Sequence, residues 1–168
     1  MPTSMDDVDR FQNSLTEVLG ADTLAVLSSA EEDRPFLGAE TLGAFAVYLL
    51  MLFATAFAEE LKKRIGDEVK TGGKRLAAAV VDRLKAYAGT MKPLDAGIAE
   101  NQKKAVGTAD ASLRELATYP AAKASLEAAT KAAKAEVAAE LEDKGFSEKE
   151  AGAKADKFVQ TIMSRVRK

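Results

Sequence analysis

The side chains able to do chemistry in this chain are few in kind. It contains no cysteine and no histidine. Thiolate chemistry and a disulfide framework are therefore absent, the usual base near neutral pH is missing, and a zinc site lacks its preferred ligands. Carboxylates stand in adjacent pairs at Asp6-Asp7, Glu31-Glu32 and Glu142-Asp143. Paired carboxylates suit a hard cation, but nothing here has EF-hand spacing, and the pairs read as solvated helix ends. Residues 66–75, GDEVKTGGKR, look superficially like a phosphate-binding loop. The pattern fails because Gly73-Lys74 is followed by Arg75 where Ser or Thr is required, Glu68 occupies the upstream glycine position, and no strand precedes the run. Its glycines read as a turn between helices. Lys123, Lys131 and Lys134 are interleaved with Glu127, Glu136 and Glu140, which removes the basic stripe that nucleic-acid binding needs. No constellation of Glu, Lys or Tyr resembles a catalytic site, so the reading is a non-enzymatic protein with no cofactor and no metal.

The elements that would position any site are helices. Ala, Leu, Lys and Glu dominate, which favours helix nearly throughout the 168 residues. That length suggests one domain, or one domain with an appended helical module. Net charge is −2, but it is unevenly spread. Residues 1–40 hold 2 basic and 9 acidic side chains, residues 59–92 hold 9 basic and 5 acidic, and residues 93–168 hold 13 and 12.

Between the acidic arm and the basic segment lies the run 41–58, TLGAFAVYLLMLFATAFA, which carries no charge. Leu42, Phe45, Val47, Leu49, Leu50, Leu52, Phe53 and Phe57 fall on every face of a helix, and a helix apolar all round belongs inside a protein or a bilayer. Eighteen helical residues span roughly 27 Å, close to the ~30 Å hydrocarbon core, and the eight large apolar residues favour insertion by roughly 2–5 kcal/mol in all. Burial in protein favours each of them by about 1.5–3 kcal/mol. The spacing predicts a helix starting near residues 38–41 and running to Ile65, its C-terminal end matched by the cations Lys62, Lys63 and Arg64.

Around it the pattern predicts amphipathic helices. One runs through Val8, Phe11, Leu15, Val18 and Leu19, with Ser4 or Asp6 as N-cap and Gly20 as stop. A short second one starts at Asp22 or Thr23. A third presents Leu76, Val80, Leu84 and Tyr87. Residues 94–118 carry only sparse apolar positions, Ile98, Val106, Leu113 and Leu116, and Gly97 and Gly107 weaken them as helix. Pro120 reads as the first turn of an Ala-rich helix ending at Gly145. Ser147-Glu148-Lys149-Glu150 is an S-x-x-E capping box, with Phe146 before it, and opens a last helix along Ala151, Ala155, Phe158, Ile162 and Val166.

The fold expected is all-α, an irregular bundle of about six to seven helices around one fully apolar central helix. Residues 1–118 would form the bundle, and 119–168 an Ala-rich helical hairpin packed on it or projecting from it. This plan is similar to that of colicin pore-forming domains and Bcl-2-like proteins, though no sequence motif of either is present. The functional expectation is a non-enzymatic membrane-active or membrane-associated protein of toxin or defence type. Its operative element would be Leu42, Phe45, Leu49, Leu50, Leu52, Phe53 and Phe57, shielded in a soluble form or inserted in a bilayer. Lys62, Lys63, Arg64, Lys70, Lys74 and Arg75 would form the interfacial flank on anionic lipid. The alternative is a soluble helical adaptor or self-assembling protein in which 41–58 is ordinary core. The expected partners are a lipid bilayer, a partner helix or a second copy, rather than nucleic acid. The first 20 residues lack the apolar region of a secretory signal, so the setting expected is the cytoplasm, the inner face of a membrane, or a span across one.

Overall fold

A computed structural model describes residues 5–20, 23, 39–65, 79, 82, 99–118 and 125–166. Among these the chain is all-helical, with five helices: α1 (Met5–Leu19), α2 (Ala39–Ile65), α3 (Ala99–Thr118), α4 (Leu126–Lys144) and α5 (Glu148–Val166). The short helix expected from residue 22 or 23 and the amphipathic one at 76–87 lie outside the described residues, apart from Thr23, Ala79 and Asp82, each helical.

α2 has the bounds its sequence predicts. It packs chiefly on α4, then on α3 and α1, while α5 lies on α4, α1 and α3. The side chains of Phe45, Val47, Leu49, Leu50, Phe53, Phe57 and Leu61 have no exposure to solvent. At about 1.5–3 kcal/mol each, their burial is worth roughly 10–20 kcal/mol, an upper figure because an unfolded chain already hides some surface.

The jacket comes from single faces of the other helices. α1 turns in Phe11, Leu15 and Leu19, and α3 turns in Val106, Ala109, Leu113 and Leu116. α4 offers Ala129, Ala133, Val137 and Leu141, at steps of four. Its alanines let the helix approach α2 closely, at the cost of little apolar area per residue. The α4–α5 hairpin therefore packs on the bundle.

Three local expectations change. Residues 99–118 form a complete helix despite Gly107, because packing of one apolar face outweighs a glycine that costs about 1 kcal/mol. α1 begins at Met5, so Asp6 lies within its first turn instead of capping it. α4 begins at Leu126, with Ser125 at the N-cap, and Pro120 lies outside the described residues.

The ends of the helices are specific. Gly145 adopts φ 124°. Its N–H donates to the Glu142 carbonyl at 3.0 Å, and that of Phe146 donates to the Leu141 carbonyl at 3.2 Å. This is the paired C-terminal closure that favours glycine. Immediately afterwards Ser147 Oγ accepts from the Glu150 N–H at 3.1 Å, as the capping-box spacing predicts. Ser147→Ala lowers stability by about 1 kcal/mol and the melting temperature by about 2–4 °C. An unchanged melt, followed by circular dichroism, would show that this cap contributes nothing.

At the end of α1, the Leu19 carbonyl accepts from Thr23 Oγ1 and from Lys154 Nζ, each at 2.6 Å. Lys154 thus brings a cation from α5 to the negative end of the α1 dipole, and its ammonium also stands 5.4 Å from the centre of the Phe146 ring.

Candidate functional site

The apolar residues singled out in the sequence do not form an open site. Phe45, Leu49, Leu50, Phe53 and Phe57 are wholly buried. Leu42 lies in α2, but its side chain is outside the described residues. Of the set only Leu52 reaches the surface, half-buried. Among the basic residues, Lys62 and Lys63 are exposed at the end of α2, Arg64 is described only as helical, and Lys70, Lys74 and Arg75 fall outside the described residues.

α2 is not enclosed all round, which corrects the expectation of a helix with no side toward water. Tyr48, Leu52, Thr55 and Glu59 are half-buried, at steps of four, three and four, with Ala56 and Glu60 beside them. These positions make one continuous line along the helix. The reason is geometric: α4, α3 and α1 cover the other sides, and the line follows the seam where α2 meets α4.

The seam holds a groove of about 260 Å³. Leu52, Thr55 and Ala56 of α2 face Ala132 of α4 across its floor, and Glu59, Glu60, Lys63 and Glu136 stand around it. The helices run antiparallel here. Tyr48, toward the start of α2, feels the charges of Glu140, Lys144 and Asp143, near the end of α4. Burial, reinforced by Glu140, pushes the Tyr48 phenol above its ordinary range, with Lys144 acting against this. Lys144 Nζ lies 3.3 Å from Glu140 and 3.7 Å from Asp143. Around the groove itself stand three carboxylates and one ammonium, so the seam has an apolar floor and an acidic rim.

A larger groove of about 590 Å³ lies on the other side of α4, against α5. Its floor includes Val159 and Met163, both nearly buried, and its rim includes Glu127, Lys131, Lys134 and Asp156. Lys134 Nζ pairs with Asp156 Oδ1 at 3.3 Å, and Gln160 donates to the other oxygen of Asp156 at 3.0 Å. The rim is balanced in charge and partly tied to itself.

The most deeply buried ionic group is structural in placement. The Asp110 side chain in α3 has no exposure. Arg165 of α5 approaches it by two nitrogens, Nε to Oδ1 at 2.9 Å and Nη2 to Oδ2 at 3.2 Å. Arg114 adds a third contact at 3.2 Å. The Arg165 guanidinium also lies 4.8 Å from the centre of the Phe11 ring. This joins α3, α5 and α1 by a two-pronged charge-assisted contact.

Among the described residues no three acidic side chains group closely enough to hold a metal ion, and no helix is long and apolar enough to cross a membrane. The uncharged run falls short of the ~20 residues a span needs, and Glu40 and Glu59-Glu60 bound it on both sides.

The seam residues Thr55, Ala56, Ala132 and Glu136 escape a reading of the sequence taken one helix at a time. The usable signal was the placement of Thr55 and Tyr48 on the same side of α2 as Glu59, the weakly polar side of an otherwise apolar helix. Compared with known proteins, the chain matches no family model, no curated sequence and no solved structure.

Proposed function

We propose that this chain is a non-enzymatic helical adaptor that acts by docking another helix, with residues 41–58 serving as the core of its bundle. The observation that carries this reading is the half-buried line through Tyr48, Leu52 and Thr55. Along 45–61 the helix is covered on its other sides, and this side borders an apolar groove. A helix laid into such a groove would bury its own apolar face there. The cytoplasm, or the inner face of a membrane, is the setting that goes with this function.

Energetics weigh against α2 leaving the bundle. To enter a bilayer it must first give up burial worth roughly 10–20 kcal/mol, as much as the whole net stability of a typical domain, about 5–15 kcal/mol. Opening of that kind amounts to unfolding. A membrane-active effector is nevertheless the second reading. It is favoured by the exposure of Lys62 and Lys63 just past the apolar run, where anionic lipid would gain about 1 kcal/mol from each.

Flotation with vesicles containing phosphatidylglycerol separates the two. Under the docking reading the chain stays at the bottom of the gradient in detergent-free buffer, below its melting temperature. Flotation of the folded, helical protein with the vesicles would overturn that reading in favour of the membrane one.

A further inference from the structure

We infer that the α2–α4 seam receives a basic amphipathic helix from a partner protein, its apolar residues seated over Leu52, Ala56 and Ala132 and its Lys or Arg side chains set against Glu59, Glu60 and Glu136. The inference rests on the docking reading and adds the chemical class of the partner.

Shape is the first ground. Two antiparallel helices present adjoining lines of small or half-buried side chains, with a groove of about 260 Å³ between them. That volume suits one or two side chains of a third helix inserted as knobs, rather than a ligand of the size that fills a pocket of about 300–1,000 Å³. Ala132 and Ala56 keep the floor low enough for close approach. Beyond the groove, Ala135 and Ala139 of α4 are exposed, so the small-residue surface continues along the axis a docked helix would follow.

Charge is the second ground. Three glutamates and one lysine stand around the groove, and farther along the same seam Glu140 and Asp143 outnumber Lys144. These acidic groups do not have to be free of other contacts for their field to act. Complementary potentials steer encounter and reject like-charged partners. An acidic helix would meet carboxylates at both ends of the seam, and a neutral one would gain only the apolar contact. The groove between α4 and α5 offers no such bias, because its rim charges balance and Lys134 is held by Asp156.

The test uses the full chain and three fluorescent synthetic helices. All share Leu and Ala on one face. Their flanks carry Lys and Arg in the first, Gln in the second and Glu in the third. The basic helix is expected to bind saturably by anisotropy, more weakly as salt rises, and at least about tenfold more tightly than the acidic one. Glu136→Lys weakens it about tenfold. Glu127→Lys, the same charge change on the opposite side of α4, alters it less than about twofold. Ala56→Trp, which fills the groove without changing charge, abolishes binding, provided the helical circular dichroism signal is retained.

Equal effects of Glu136→Lys and Glu127→Lys would reduce the result to bulk charge and overturn the inference. So would the absence of saturable binding by the basic helix. If the neutral or acidic helix bound in its place and Ala56→Trp blocked it, the partner class would be wrong while the docking reading stood. The docking reading itself falls only on the vesicle experiment above.

Discussion

Leu50→Lys abolishes the cooperative thermal melt, whereas Leu52→Lys, two residues along the same helix, leaves it in place. Leu50 has no exposure and lies within the continuous core that includes Phe53, Leu113 and Phe158. A lysine there would have to bury an unpaired ammonium or lose its proton, on top of the roughly 2–5 kcal/mol that losing a buried leucine costs. Together these match or exceed the whole stability of an ordinary domain. Leu52 lies on the half-buried line, where a lysine stem can lie along the groove with its ammonium in water. Leu52→Lys should therefore shift the midpoint by no more than about 4 °C. Comparable melts for the two variants, by circular dichroism and tryptophan-free calorimetry, would mean that the two sides of α2 are not differently placed.

The second large effect is at Asp110. Arg165→Met leaves a wholly buried carboxylate with Arg114 as the remaining described partner. Breaking one side of a buried pair costs about 3–5 kcal/mol, and the retained Arg114 contact puts the expectation at the low end. That corresponds to a fall of roughly 6–12 °C in the melting midpoint. Replacing both charges together, Asp110→Leu with Arg165→Met, should return the protein to within about 1 kcal/mol of the parent, because the desolvation penalty goes with them. The double variant is therefore more stable than the single one. A double variant less stable than Arg165→Met would show that the pair itself stabilises the fold, and the assignment as a costly but compensated contact would be wrong.

Much of this architecture was legible before any coordinates. The bounds of α2 follow from an uncharged run closed by Lys62, Lys63 and Arg64, and the start of α5 follows from Ser147 and Glu150. Those signals are local, a change of composition or a fixed spacing that satisfies backbone N–H groups, and local signals survive in one dimension. Residues 99–118 were misjudged for the opposite reason. Their helix is held by the contacts of Val106, Ala109, Leu113 and Leu116 with other elements, and a count of apolar residues does not contain those contacts.

The site was harder still. The apolar residues that dominate the sequence were read as the operative surface, yet six of the seven described ones at 45–57 are hidden, and Leu52 alone lies on the seam. Which side of an almost uniformly apolar helix is left half-open depends on where its neighbours stop. Ala132 and Glu136 became seam residues only because α4 lies antiparallel to α2. Arg165 and Asp110 are 55 residues apart, and nothing in the spacing of either announces the other.

Hydrogen exchange of the α2 amides in detergent-free buffer, read residue by residue, tests most directly whether residues 45–61 are the folded core of this protein. If they are, those amides exchange only through global unfolding, with protection equal to the free energy found by denaturant melts. Amides of 45–61 that exchange freely in buffer, and become protected only when vesicles are added, would contradict the account.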